Sequence, residues 1–139
     1  MSDQVCIAGK QHRAWLVSQD TSVDEEWVDR CIGLGEYLIA ERHQRPIGFL
    51  RWSRFWGKVP YIDMIYVSPL AQGTGAGRLL LSHLEKVAGG SGIEIIMTSC
   101  ESDEREAFDW HFTQGFKPVG EIEVPTIQTS RELFLVKHL

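Results

Sequence analysis

Apolar residues recur along the chain with two different periods, which predict helices and strands in turn. Residues 23–32 repeat at helical spacing, and Ser22 with Glu25 forms a capping box that predicts the start of this helix. A glycine after the run, Gly33 or Gly35, is predicted to end it. Runs rich in β-branched and aromatic residues predict seven strands. These are Val5–Ala8, Tyr37–Glu41, Ile47–Trp52, Tyr61–Val67, Ile93–Met97, Phe116–Val124 and Glu132–Val136.

Two further helices complete the predicted element order. One begins at Ala76 and ends at Gly89, and the other runs from Ala107 to Phe112 and is closed by Gly115. Short turns join the second, third and fourth strands, which predicts an antiparallel meander. The helix between the fourth and fifth strands predicts a parallel βαβ unit. The order β-α-β-β-β-α-β-α-β-β therefore predicts an α/β fold with one mixed sheet and helices on both of its faces.

Length and composition limit the class of protein. The 139 residues predict a single domain over residues 1–139. A net charge of −5 argues against general nucleic-acid binding, which requires a surplus of basic side chains. The sequence shows no signal peptide and no apolar run near the ~20 residues of a membrane span, so we expect no membrane association and a cytoplasmic location. The spacing of Cys6, Cys31 and Cys100 leads us to expect neither a disulfide framework nor a metal site.

A glycine-rich segment, Gln72–Gly77, joins the fourth strand to the following helix. Its glycines alternate with other residues, so the backbone can approach a bulky group closely. Helix N-termini present unpaired N–H groups and bind anions, which makes this segment a candidate phosphate site. The spacing differs from that of a dinucleotide-binding fingerprint, and the Gly-Lys-Ser/Thr of a P-loop is absent. A tight turn without a ligand is the alternative interpretation.

The segment resembles the Q/R-x-x-G-x-G/A signature of the GNAT superfamily of acyl-CoA N-acyltransferases. The preceding residues Tyr66–Pro69 resemble the lead-in from strand to loop in that family, and Ala107 to Phe116 is similar to its later helix ending in Gly-Phe. The resemblance implies a meander and a βαβ unit splayed around CoA, with acetyl-CoA as the cosubstrate. It implies that backbone groups hold pantetheine at Ile65, Tyr66 and Val67, and that the pyrophosphate site comprises Gln72, Gly73, Thr74, Gly75, Ala76, Gly77 and Arg78.

Two residues are candidates for proton transfer during acetylation of an amine. Asp63 is the predicted general base, because it shares one strand face with Tyr61 and family members often place a carboxylate there. The alternative is a substrate-binding or solvated carboxylate. His111 occupies the position where many family members carry a tyrosine acid, and its alternative role is packing. Glu104 stands where the family frequently has an asparagine that contacts pantetheine, which is a second departure.

The acceptor is left open by the sequence. An aromatic wall is predicted from Trp52, Phe55, Trp56 and Tyr61, and core packing is the alternative for about half of them. Nearby acidic residues favour a cation, whereas Arg51, Arg54 and Lys58 favour an anion or a solvated face. The leading hypothesis is direct acetyl transfer from acetyl-CoA to a primary amine of a small molecule or protein. A non-catalytic acyl-CoA sensor is the alternative, and a dinucleotide-binding module is disfavoured by the loop spacing. A homodimer is compatible with this interpretation.

Overall fold

The computed structural model describes residues 3–90 and 92–139, and in these residues the chain forms one mixed sheet with four α-helices. The helices are α1 (Arg13–Gln19), α2 (Glu25–Gly33), α3 (Ala76–Gly89) and α4 (Arg105–Thr113). The strands are β1 (Gln4–Ile7), β2 (Tyr37–Arg42), β3 (Arg45–Phe55), β4 (Val59–Val67), β5 (Ile95–Glu101), β6 (Lys117–Ile122) and β7 (Glu132–His138).

The strand order in the sheet is β1-β2-β3-β4-β5-β7-β6. The pairs β1–β2, β2–β3, β5–β7 and β6–β7 are antiparallel, whereas β4 and β5 are parallel. The predicted α/β class and the parallel βαβ unit are therefore confirmed. Among the described residues, no helix combines the length and apolar character that crossing a membrane requires.

The chain divides into two compact units, and the first comprises residues up to Ser53 together with Met64–Leu84. Its core forms where the apolar faces of α1 and α2 meet one face of β2 and β3, through Leu16 and Val28 on the helices and Ile39 and Phe49 on the strands. Side chains alternate along a strand, so Leu38 and Leu50 point to the opposite face, where they are also buried. The prediction of a single domain over residues 1–139 stays a prediction.

A buried ion pair lies within this first unit. Arg51 Nε donates to Asp20 Oδ2 at 2.8 Å, and the Tyr37 hydroxyl donates to the same oxygen at 2.5 Å. Burial is the main reason that the pKa of Tyr37 is raised, and the charge of Asp20 adds to it. From the sequence, Arg51 was predicted to face an anionic acceptor or solvent, together with Arg54 and Lys58. The structure corrects this, because the guanidinium is buried against Asp20.

The second unit comprises Arg54–Asp63 and Glu85–Leu139. Tyr61 pairs with Met97 and Ile62 with Thr98 in the parallel ladder, and β5 pairs along its whole length with β7. Residues 96, 98 and 100 of β5 are buried, whereas residues 97, 99 and 101 are half-buried. One face of β5 therefore belongs to the core, and the half-buried face carries the polar side chains of Ser99 and Glu101.

Several local predictions differ from the structure. Helix α1 was not predicted, because it has only seven residues and four consecutive apolar ones, which obscure a helical period. The capping box was wrong: α2 begins at Glu25, and Asp24 is its N-cap, whose carboxylate accepts the Trp27 N–H at 2.9 Å. Ser22 instead donates to Asp20. Strand β5 begins two residues later than predicted and extends to Glu101, which places Ser99 in the strand.

Candidate active site

The glycine-rich loop leads directly into α3 and is open to solvent. Gly73 and Gly75 have φ values of 77° and 94°, which favour glycine over every other residue type. A Cβ atom built on either glycine would have no heavy atom within 4 Å other than those of the glycine and its two chain neighbours. The space beside these two glycines is therefore available to a ligand that approaches the backbone.

The first turn of α3 supplies hydrogen-bond donors at the end of this loop. Leu79 N–H donates to Gly75 O at 3.0 Å, which is the bond that closes the first helical turn. The amides of Ala76, Gly77 and Arg78 precede that bond, and helix geometry gives them no intrahelical acceptor. Together with the positive end of the helix dipole, they form a cradle that fits a pyrophosphate.

Side chains from within the loop and from β2 hold it in place. Gln72 Nε2 donates to Val67 O at 3.1 Å, and Thr74 Oγ1 donates to Ala71 O at 2.5 Å. Arg42 donates from Nη2 to Thr74 Oγ1 at 3.0 Å. The side chains of Gln72 and Thr74, both predicted to contact the cosubstrate, therefore make hydrogen bonds that fix the loop.

Arg42 is a functional candidate that the sequence prediction missed. Its guanidinium forms two bonds with the Asp3 carboxylate, at 2.8 and 2.9 Å, while it also contacts Thr74. The Arg42 side chain lowers the pKa of Asp3. It brings a positive charge to a loop suited to anions. The sequence offered one signal, an arginine at the hairpin between β2 and β3, but nothing local connects that turn to residue 74.

The predicted pantetheine segment lies at the end of β4, where Ile65, Tyr66 and Val67 are half-buried. The Tyr66 ring packs against Phe49 with centroids 5.5 Å apart, and its hydroxyl donates to Gln19 Oε1 at 2.8 Å. Because the side chain is occupied by these contacts, the backbone is the part of Tyr66 suited to a ligand. Gly48 on β3 lies close to it: a Cβ there would be 2.7 Å from Tyr66 O.

A hydrogen-bonded chain of side chains lies in the second unit. The Tyr61 hydroxyl bonds to Ser99 Oγ, which donates to Glu132 Oε2 at 2.6 Å. Burial raises the pKa of Tyr61, its hydrogen bond with Ser99 opposes this shift, and the negative charge of Asp63 adds to it. Asp63 itself is exposed on β4. Sequence reasoning identified Tyr61 and Asp63 but missed Ser99 and Glu132, because the predicted strand ended at residue 97.

The aromatic residues proposed for the acceptor separate into two groups. Trp56 is 82% exposed, and its ring centroid lies 4.7 Å from that of Phe55. Phe55 in turn lies 6.1 Å from Tyr61, which lies 6.2 Å from Phe134. These rings form a continuous aromatic row in the second unit. Trp52 is only 9% exposed and belongs to the buried residues of the first unit, so we assign it to packing.

His111 is 5% exposed and lies against aromatic neighbours. Its Nδ1 lies 2.7 Å from Ala107 O, a bond that requires the proton on Nδ1, and its Nε2 lies 3.5 Å from Thr98 Oγ1. Burial lowers the pKa of His111 despite the bond to Ala107. The imidazole is therefore neutral, and its one proton is directed at a backbone carbonyl. These contacts fit the packing alternative, and the acid role stays a prediction.

Glu104, the second departure from the family pattern, also has a local role. Its Oε1 accepts the Glu101 N–H at 2.9 Å and so closes the turn between β5 and α4. This carboxylate is therefore engaged by its own turn. Position 104 therefore offers a carboxylate where the family frequently has the amide of an asparagine that contacts pantetheine.

Three potential metal ligands, Cys6, His12 and Glu41, come together in the first unit, with their ligand atoms within 4.8 Å of one another. Gly9 N–H donates to His12 Nδ1 at 3.0 Å, so the neutral imidazole carries its proton on Nε2, which lies 3.2 Å from Glu41 Oε2. Burial, reinforced by Glu41, raises the pKa of the Cys6 thiol to about 11. Protons occupy the positions that a metal ion would need, so the cluster is best described as a hydrogen-bond network.

Comparisons with known proteins agree with this fold. A structure of a GNAT-family acetyltransferase from Bacillus cereus ATCC 10987 has a TM-score of 0.83 and 19% identity, covering 99% of this chain and 98% of that chain. Arabidopsis thaliana Naa50, in complex with the bisubstrate analogue CoA-Ac-MVNAL, has a TM-score of 0.80 and 17% identity, covering 99% of each chain. The PaiA N-acetyltransferase of Thermoplasma acidophilum, in complex with coenzyme A, has a TM-score of 0.73 and 17% identity, covering 100% of each chain.

At these identities the structures show a common fold. No curated protein sequence matches the chain. A family model, described as the acetyltransferase (GNAT) family, matches residues 8–116, which is most of the chain. The chain therefore belongs to the acetyltransferase (GNAT) family.

Proposed function

We propose that the protein transfers an acetyl group from acetyl-CoA directly to a primary amine of a small molecule or protein. The observation that carries this proposal is the open loop Gln72–Gly77 at the N-terminus of α3. In this proposal the amides of Ala76, Gly77 and Arg78 bind the pyrophosphate, and the positive φ values of Gly73 and Gly75 let the backbone approach it closely. Arg42 adds a nearby positive charge.

The pantetheine arm would bond to backbone groups of Ile65, Tyr66 and Val67. Two features support this. The Tyr66 side chain is engaged with Phe49 and Gln19, so the ligand meets main chain. The close approach of Gly48 to Tyr66 O also fixes the position of that carbonyl. Binding the thioester in one orientation supplies much of the rate, since positioning is worth roughly 7–11 kcal/mol.

The acceptor amine would meet the aromatic row and the carboxylate of Asp63. Trp56 and Tyr61 offer aromatic faces to a cation, and the exposed Asp63 carries the charge that would attract it. Asp63 then either takes the proton of the ammonium group as general base or holds the ammonium group in place. The variant Asp63→Asn separates these roles, because loss of the base lowers kcat, whereas loss of the binding charge raises KM.

A non-catalytic acyl-CoA sensor is the second candidate. The observation in its favour is His111, a buried neutral imidazole at the position where many family members have a tyrosine acid. A sensor would bind acetyl-CoA without consuming it. Turnover of the thioester therefore separates the two candidates.

The experiment adds acetyl-CoA to the purified protein with a diamine, a lysine ester and a short peptide with a free N-terminus. Thermal stability reports binding, and release of free thiol reports transfer. A thermal shift with amine-dependent thiol release supports the enzyme, and the responding amine identifies the acceptor class. A shift without release in any reaction supports the sensor. Absence of a shift contradicts the assignment of the loop.

A further inference from the structure

The hydrogen bonds that link the side chains of Tyr61, Ser99 and Glu132 all donate in one direction. A serine hydroxyl carries a single proton, and that of Ser99 is donated to Glu132 Oε2 at 2.6 Å. Ser99 Oγ must then accept in its bond with Tyr61, so Tyr61 is the donor. Both protons point toward Glu132. A phenol that donates a hydrogen bond to a neighbour keeps lone pairs on its oxygen, and these can accept a proton from another group.

Glu132 is suited to be the end of this chain. Its Oε1 accepts from Gln128 Nε2 at 3.0 Å, so each carboxylate oxygen has a neutral donor. The carboxylate is half-buried, and its cross-strand neighbour on β5 is Glu101, a second carboxylate. Like charges opposite each other across two strands are unfavourable. Two other ionisable groups act on Tyr61, the carboxylate of Asp63 on β4 and the thiol of Cys100 on β5.

We propose that Tyr61, Ser99 and Glu132 form a proton relay that deprotonates the acceptor amine, an inference that rests on the proposed function. The ammonium group gives one proton to Tyr61 Oη. At the same time the hydroxyl proton of Tyr61 moves to Ser99 Oγ, and that of Ser99 moves to Glu132. The amine and Glu132 become neutral, while Tyr61 and Ser99 regain their original forms.

The remaining electron movements follow from this transfer. The amine lone pair forms the N–C bond to the acetyl carbonyl carbon, and the C=O π electrons move to oxygen. When the carbonyl re-forms, the C–S bond breaks, and the thiolate leaves with that electron pair and takes a proton from the nitrogen. Glu132 releases its proton to solvent. The relay thus removes one proton per acetyl transferred, and Asp63 serves to hold the ammonium group beside Tyr61.

The test compares the wild type with Ser99→Ala and Glu132→Gln, using acetyl-CoA and the amine with the highest rate in the panel above. Loss of a general base lowers kcat roughly 10²–10⁴-fold, so we expect falls in that range at neutral pH, with the Kd for CoA unchanged within about twofold. Ser99→Thr keeps the hydroxyl and should restore most of the rate. Ser130→Ala is the matched control, because Ser130 Oγ makes the same 2.6 Å bond to Glu101 Oε1.

Two further readouts separate a relay from a structural role. The deficit of Ser99→Ala should shrink as the pH approaches about 10, where the amine loses its proton unaided. The double variant Ser99→Ala/Glu132→Gln should be no slower than the slower single variant, because both interrupt one path. A deficit that is constant with pH, or a kcat for Ser99→Ala within about threefold of the wild type, overturns the relay alone. A wild type that releases no thiol with any amine overturns the proposed function, and the relay with it.

Discussion

Replacing Gly75 by aspartate is the most direct test of the cosubstrate loop. Gly75 has a φ of 94°, and an added Cβ would find no heavy atom within 4 Å outside its immediate neighbours. The substitution therefore creates no clash in the folded protein. Its cost to folding is limited to backbone strain, roughly 1–2 kcal/mol for a residue with a side chain in a left-handed conformation. Its main effect should fall on the ligand.

The magnitude follows from the bonds that the new side chain would block. A carboxylate at position 75 would occupy the space in front of the amides of Ala76 and Gly77. Each hydrogen bond to a charged group is worth roughly 1.5–3 kcal/mol. Losing two of them gives about 3–6 kcal/mol, which corresponds to an increase in the Kd for CoA of roughly 10²–10⁴-fold. Repulsion between the carboxylate and the phosphates places Gly75→Asp toward the upper end of this range.

Calorimetric titration with CoA measures the effect directly. Gly75→Asn has nearly the same size without the charge, so its Kd should lie between those of the wild type and Gly75→Asp. Gly92→Asp is the matched control, because Gly92 has a φ of 80° and an added Cβ there would also meet no heavy atom within 4 Å, but it lies beyond the other end of α3. It should lose similar stability and keep its affinity for CoA. If Gly75→Asp binds CoA within about threefold of the wild type, the loop does not bind the pyrophosphate.

Three other changes test separate parts of the structure. His111→Phe should keep kcat within about tenfold of the wild type if His111 has a packing role. In urea unfolding, its free energy of unfolding should also fall less than that of the wild type between about pH 7 and pH 5. The reason is that His111 takes up a proton in the unfolded state at a higher pH than in the folded state, where burial lowers its pKa. Arg51→Met should lower the free energy of unfolding by roughly 3–5 kcal/mol, since Asp20 is left buried without its cation; a loss under about 1 kcal/mol would contradict this. Gly48→Ala should weaken CoA binding, because the added Cβ displaces Tyr66 O. An unchanged affinity for CoA would show that this carbonyl does not contribute to pantetheine binding.

The sequence predicted the features that depend on neighbouring residues. The glycine-rich loop and the helix behind it are contiguous, so their pattern indicates both the structure and the anion site. The hydrogen-bonded side chains of the proposed relay could not be predicted in this way, because Ser99 and Glu132 are 33 residues apart and meet through the register of β5 and β7. Ser99 also lies beyond the end of the predicted strand. His111 shows the opposite case: its position was predicted, but its burial and its bond to Ala107 depend on tertiary packing.

The contact from Asp3 through Arg42 to Thr74 affects how the protein should be prepared. The carboxylate of Asp3 bonds to the guanidinium of Arg42, which in turn bonds to Thr74 in the glycine-rich loop. An affinity tag fused just before Asp3 adds bulk beside that carboxylate, and a cleavage product that lacks Asp3 leaves Arg42 without its acidic partner. Either preparation would report an affinity for CoA that belongs to an altered loop. A comparison of the Kd for CoA between tagged and untagged protein would reveal this error.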